Sequence, residues 1–256
     1  MIYISDPKRI FLTGASGHLG RALARLHAVP GVELTLWGRD TDKLEEIART
    51  CREAGAKVGI LAQDLEDTSA SLAALRAADA RAPIDLAYLV AGLGDTCAPG
   101  QLVEPPEQVL RLAQVNFAAP AALASALAAR MAERGTGRIV LIGSAAGHHA
   151  LPFAASYAAS KAGLARFAQA LRIAVAPRGV QVTLAVPGFL ATPGRREASG
   201  APPMLLEVDE AARRIAQAAR EGRGTYVTPW IFRVLHLVDR TLPGPVRARL
   251  LRAMAP

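Results

Sequence analysis

Ile10-Phe11-Leu12-Thr13-Gly14-Ala15-Ser16-Gly17-His18-Leu19-Gly20 is the segment from which the rest of the chain can be read. Three consecutive apolar residues suggest a buried strand, and the glycine-rich turn behind them feeds a helix beginning near His18. A helix that starts this way presents unpaired amides, so a phosphate fits its amino end. Glycines at 14, 17 and 20 would let the backbone turn tightly, approach a diphosphate and pack the helix on a sheet. A glycine-rich turn that merely joins strand to helix has the same composition, and the downstream residues separate the two readings.

Those residues repeat the pattern. A helix is expected over 18–29, with Leu19, Leu23 and Leu26 at helical spacing and Pro30-Gly31 closing it; strand 33–37 follows and ends in Gly38-Arg39-Asp40. In a dinucleotide fold the end of this strand faces the adenosine ribose. An acid there would bind the ribose hydroxyls of NAD(H), whereas the guanidinium of Arg39 suits the extra phosphate of NADP(H), which is the expected cofactor. Arg39 also reads as a surface arginine at a helix start, and Asp40 as either a helix cap or a ribose ligand. Helix 41–54 leads to strand 56–61, after which the Asp64 carboxylate and the Leu65 amide can read the adenine edge; a turn or cap role for Asp64 is equally compatible. Helix 68–81 and strand 85–90 end in Ala91-Gly92-Leu93-Gly94, small enough for cofactor sugars to pass close to the backbone. This alternation of strands and helices calls for an α/β fold, a Rossmann-type doubly wound parallel sheet with helices on both faces.

The bulk properties agree. A chain of 256 residues, 51% hydrophobic and 20% charged, fits one such domain with a small appendage. No uncharged apolar run reaches the roughly 18 residues of a membrane span, and Asp6, Lys8 and Arg9 precede any long hydrophobic segment, so neither a span nor a secretory signal is expected. Cys51 and Cys97 form no metal-ligand or redox pattern, which suits a reducing, cytoplasmic setting, and no metal site is expected. The net charge of +8 comes mostly from arginines scattered singly, and with only 5% aromatic residues there is no basic stacking face for nucleic acid. The charge instead fits a solvated surface, anionic ligands or a basic C-terminal end.

The chemistry-bearing residues lie in the middle of the chain. A long alanine-rich helical region over 107–134 contains Asn116, whose amide needs partners if buried: either local backbone, or a water and a lysine in a proton path. Strand 137–142 ends at Gly143-Ser144, at the sheet edge where open α/β folds place ligands. Ser156-Tyr157-Ala158-Ala159-Ser160-Lys161 then opens a helix running to about 176, with Tyr157 and Lys161 on one face. A phenol is a poor base at neutral pH, but a nearby ammonium favours its ionised form, so the pair makes an acid/base unit. Ser144 would donate to a carbonyl or alcohol oxygen while Tyr157 moves the proton and hydride passes between a nicotinamide and the substrate carbon.

Thr13 to Gly20, Asp64, Ala91-Gly92, Asn116, Ser144, Tyr157 with Lys161, and Pro187-Gly188 with Thr192, in this order and with 13 residues from Ser144 to Tyr157, resemble the short-chain dehydrogenase/reductase superfamily in its classical branch, over about residues 8–228. The resemblance implies Tyr157 as general acid/base, Lys161 assisting it and holding the nicotinamide ribose, Ser144 orienting the substrate oxygen, and Asn116 positioning a water that links Lys161 to solvent. It places Gly14, Ser16, Gly17, His18, Leu19, Gly20, Arg39, Asp64, Leu65, Ala91 and Gly92 along the cofactor, with Pro187, Gly188 and Thr192 against its carboxamide and phosphates. It also implies a seven-stranded sheet and a homodimer or homotetramer built partly on the helices over 107–134 and 156–176. The chain departs from the family twice. His18 stands where the branch has glycine, and Leu89-Val90 replace two asparagines.

Phe189 to Leu206, rich in glycine and proline, reads as a lid with Phe189, Leu190, Met204, Leu205 and Leu206 as apolar contacts; His148, His149, Leu151 and Phe153 are expected to wall the other side. The substrate is then a hydrophobic, even lipid-like, ketone or secondary alcohol. The expected catalytic domain is 1–228. Residues 229–256 form an apolar and basic extension that reads as a lid or oligomer contact, a support packed on the core, or a shallow anchor on the inner membrane face. The activity expected is NADP-dependent carbonyl–alcohol interconversion. Reduction of a carbon–carbon double bond, and a cofactor-binding regulator without turnover, are its rivals.

Overall fold

Alternation along the first strand sets the layering. In β1 (Arg9–Thr13) Ile10 and Leu12 face one side of the sheet and Phe11 the other, all essentially buried, so helices must cover both faces. The structure is a computed structural model that describes residues 7–94, 96–98, 100–193, 195, 205–232 and 241–253. In chain order, α1 (His18–His27), β2 (Glu33–Gly38), α2 (Thr41–Glu53), β3 (Lys57–Ala62), α3 (Thr68–Arg81) and β4 (Leu86–Leu89) come first. The second half runs α4 (Pro106–Ala113), α5 (Ala119–Arg134), β5 (Gly137–Ile142), α6 (Ala155–Val175), β6 (Val180–Pro187), α7 (Val208–Arg220), β7 (Thr225–Thr228) and α8 (Gly244–Ala253).

All seven strands are parallel, in the order β3-β2-β1-β4-β5-β6-β7. α1, α2 and α7 cover one face with Leu23, Ile47 and Ile215; α3, α5 and α6 cover the other with Leu75, Leu123 and Leu164. Because the winding reverses between β1 and β4, the carboxyl ends of those two strands diverge and open a crevice between them.

Three features differ from the sequence reading. The region over 107–134 is not one regular helix: α4 and α5 are joined by a π-turn, Gln114–Ala118, centred on Asn116. By length and composition Pro106–Arg134 is apolar enough to cross a membrane, yet half of its apolar window is buried and Leu123, Leu127 and Met131 sit in the core. Asp79 on α3, which the sequence reading does not single out, is buried, meets the partly exposed Arg130 and Arg134 guanidiniums and accepts from the Ile84 amide at 2.9 Å. Burial would push its carboxyl up; the amide and the two arginines outweigh that and hold it below the usual carboxylate range. Met204 and residues 233–240, named in the lid and extension readings, lie outside the described residues. Of the extension, Phe232 and Leu251 are buried, whereas Trp230 is exposed.

Candidate active site

The crevice begins at the turn after β1. Gly14 has φ +67°, and a Cβ on it would lie 2.8 Å from the Ala91 backbone; a Cβ on Gly20 would lie 2.1 Å from the Gly14 carbonyl oxygen. No other residue type lets the turn, α1 and β4 approach this closely. Thr13, which opens the motif but has no role of its own in the sequence reading, fastens the two strand ends: its hydroxyl oxygen accepts from the Val90 and Ala91 amides at 3.1 and 3.3 Å. These bonds hold the strand end although Leu89 and Val90 supply no polar side chain. Gly17 is the N-cap of α1 and offers no side-chain acceptor, and the first turn carries no acid, so its amides face the crevice uncapped.

An open cleft of about 460 Å³ runs from this turn along the carboxyl ends of the strands. The first turn lines it with Gly14, Ser16, Gly17, His18, Leu19 and Gly20. Arg39, Asp64 and Leu65 line one end. Ala91, Gly92, Ser144, Tyr157, Lys161, Pro187, Gly188 and Thr192 line the remainder. Arg39 and Asp64 meet at 3.5 Å as an exposed pair. Asp40 instead caps α2, accepting from the Lys43 amide at 3.0 Å, so of its two readings the cap is the one observed.

Asn116 lies just behind the cleft, fully buried. Its side chain accepts from the Leu93 amide at 2.7 Å and donates to the Leu93 carbonyl at 2.9 Å, and it reaches the Ser160 hydroxyl at 3.4 Å. The π-turn swings it onto this loop, so its partners are 23 residues away rather than local backbone. Lys161 is buried beside it, its Nζ donating to the Ile142 carbonyl at 3.0 Å and lying 5.9 Å from the centre of the Tyr157 ring. Burial pushes the ammonium down to about 8. A Cβ on Gly92 would sit 3.1 Å from Asn116 Oδ1 and 3.3 Å from Lys161 Nζ, so this glycine leaves the lysine open to the cleft. Ser144 Oγ accepts from the Ala146 amide at 3.2 Å, which occupies an acceptor position and leaves the hydroxyl hydrogen to donate elsewhere.

α6 starts without a cap of its own. Glu104 supplies one from across the fold, accepting from the Ser156 amide at 2.8 Å and the Ser156 hydroxyl at 2.7 Å, directly before Tyr157. Sequence reasoning missed Glu104, 52 residues away. It also missed Arg195, which lines the cleft. His148, His149, Leu151 and Phe153 do not line it; Phe153 accepts from the Cys97 amide at 2.8 Å and belongs to a neighbouring loop contact. Of the apolar contacts expected between Phe189 and Leu206, Leu190 lines the cleft, and the two ends of this segment are joined by Leu206 donating to Phe189 at 2.8 Å and Ala191 donating to Leu206 at 2.9 Å. Among the described residues no group of three or more His, Cys, Asp or Glu is placed to hold a metal.

A family model described as short chain dehydrogenase matches residues 8–202. An oxidoreductase of Myxococcus xanthus, called uncharacterized, is 34% identical over 236 residues, 92% of each chain. Among solved structures, a short-chain dehydrogenase from Sphingobium yanoikuyae in complex with NADPH superposes with a TM-score of 0.78 at 27% identity, covering 92% of this chain and 96% of that one. A bulky-bulky ketone specific alcohol dehydrogenase from Comamonas testosteroni has the same fold, with a TM-score of 0.78 at 24% identity over 93% and 95% of the two chains.

Proposed function

The chain belongs to the short-chain dehydrogenase family and is an NAD(P)-dependent oxidoreductase, and from that premise we propose that it uses NADP(H) to reduce a hydrophobic ketone to a secondary alcohol. One observation carries the reading: Ser144, Tyr157 and Lys161 line the same cleft as the uncapped amides of α1. The cleft fits a dinucleotide, because those amides suit a diphosphate and Gly92 leaves the room a side chain would fill. The NADPH of the Sphingobium yanoikuyae protein supports the same choice.

Bound NADPH supplies the hydride. Ser144 donates to the ketone oxygen and orients it. Tyr157 delivers the proton to that oxygen as negative charge develops there. The Lys161 ammonium lies alongside the phenol ring and would offer its charge to the phenolate left when the proton is given, while its remaining N–H donors would hold the nicotinamide ribose hydroxyls. Asn116 braces the Leu93 loop and would hold the water through which a proton returns from solvent, by way of Lys161, to the Tyr157 phenolate. Leu93, Ile142 and Leu190 give the cleft its apolar wall. Exposed Val109, Leu110, Phe117 and Ile173 on α4, the π-turn and α6 support a homo-oligomer through these helices, and we place the enzyme in the cytoplasm.

Arg39 is the phosphate reader in this proposal. An exposed pair with Asp64 holds it only weakly, and a ribose phosphate offers a better bidentate partner. Arg39→Ala should raise the Kd for NADPH roughly ten- to hundredfold, the worth of hydrogen bonds to a charged group, and leave that for NADH within about twofold. Equal affinities in the wild type, unchanged by the substitution, would overturn the NADP assignment.

A further inference from the structure

Among the described residues, Arg195 is a cation of the cleft that the proposed chemistry leaves unused. It stands one lid turn beyond Thr192, its amide donating to the Thr192 carbonyl at 3.1 Å, and it lines the same cleft as Ser144 and Tyr157. Other arginines in the molecule meet carboxylates: Arg21 meets Glu46, Arg52 meets Glu45, and Arg213 and Arg214 meet Glu210. Arg195 lies instead over the Phe189 ring, 5.4 Å from its centre, and among the described residues it has no carboxylate partner.

The platform beneath it is fixed. Phe232 meets Phe189 edge-on, with centroids 5.8 Å apart and planes at 73°. Phe232 is itself buried so close over Gly188 that a Cβ there would come within 2.2 Å of its ring. A guanidinium held by its face keeps the N–H donors around its edge available, in a planar fork that matches an oxyanion. Asp64 is paired with Arg39 at the adenine end, so among the described residues no carboxylate in the lining competes for Arg195.

We infer that Arg195 binds an oxyanion of the ligand: either the cofactor's diphosphate or a carboxylate or phosphate carried by the substrate. The inference rests on the proposed function and deepens it, since in the second case the substrate is an amphiphile whose apolar chain follows Leu190 while its acid meets the lid. The stack also gives the C-terminal extension a role, because Phe232 carries the platform on which Arg195 rests.

Arg195→Met keeps an apolar stem for Phe189 and removes the charge; Arg195→Lys keeps the charge without the fork. Fluorescence titration gives the Kd of NADPH and NADH for each protein. Calorimetry on the NADP-loaded proteins gives the affinity for 4-oxodecanoate and its methyl ester, and kcat/KM is measured for the same pair. If the anion is the substrate's, Arg195→Met weakens 4-oxodecanoate binding and lowers its kcat/KM about tenfold or more, with the ester and both cofactors unchanged and partial recovery in Arg195→Lys. If it is the diphosphate, both cofactors weaken alike by about tenfold and the ratio of acid to ester stays constant. Cofactor Kd values and acid-to-ester ratios all within about twofold of wild type would overturn the inference. A wild type that binds neither cofactor would refute the proposed function itself, whereas a wild type that binds NADPH and reduces the ester leaves that proposal standing whatever Arg195 does.

Discussion

Lys161→Met should make the protein more stable at neutral pH and inactive. Burial brings the Lys161 ammonium from its ordinary 10.5 down to about 8. That gap is worth about 3 kcal/mol. Below pH 8 the lysine is protonated in both folded and unfolded chains, so the full cost of burying its charge is present. Between about pH 8 and 10.5 the unfolded chain holds a proton that the folded chain has lost, so wild-type stability rises with pH across this window. Methionine removes the charge but strands the Ile142 carbonyl that accepts from Nζ at 3.0 Å, a loss of about 1–2 kcal/mol. The variant is therefore expected to exceed wild type by about 1–2 kcal/mol at pH 7 and to fall below it by a similar amount near pH 10.5. Urea unfolding of both cofactor-free proteins across this range measures the difference directly, and taking the difference cancels groups that titrate in both. The same ionisation should appear as an alkaline limb near pH 8 in wild-type kcat/KM. A stability difference that stays flat with pH would refute the account of Lys161 as a buried ammonium held in place for function.

Two further substitutions probe the supports of the site. Glu104→Ala removes the cap on the amide and hydroxyl of Ser156; it should cost about 1–2 kcal/mol and lower kcat several-fold with NADPH affinity unchanged, and hydrogen exchange confined to the first turn of α6 should quicken. Gly20→Ala forces a Cβ to within 2.1 Å of the Gly14 carbonyl oxygen; a loss of about 3 kcal/mol in thermal or urea unfolding, together with loss of NADPH binding, is expected, and a variant that keeps wild-type stability would show that the turn has room the structure denies it.

How far the fold can be read from sequence depends on how local its causes are. β5 has its expected ends because a short β-rich run flanked by turn residues leaves little choice of boundary. The glycine turn is equally legible, since its constraints act within a few residues. The π-turn is not: a single residue of slippage leaves apolar periodicity nearly unchanged, and its reason, the pairing of Asn116 with Leu93, lies on another loop. Asp79 among alanines and Glu104 in a proline-flanked loop carry no local signal, because the arginines and the helix start that they serve are about 50 residues distant. Arg195 carried no signal beyond being an arginine in a glycine-rich segment. Its meaning comes from the aromatic stack beneath it, half of which belongs to the C-terminal extension. Residues that touch a cofactor tend to sit at strand ends and turns, where motif spacing is visible. The groups that hold them in place come from anywhere in the chain.

Rapid mixing of saturating NADPH-loaded enzyme with an apolar ketone, for wild type and Tyr157→Phe, tests the central claim most directly. The phenylalanine keeps the ring beside Lys161 and removes only the hydroxyl. The account predicts that NADPH binds both proteins with similar affinity and that the single-turnover rate falls by about 10²–10⁴ in the variant, the usual worth of a positioned acid. A variant that binds NADPH and turns over the same ketone at the wild-type rate would contradict it.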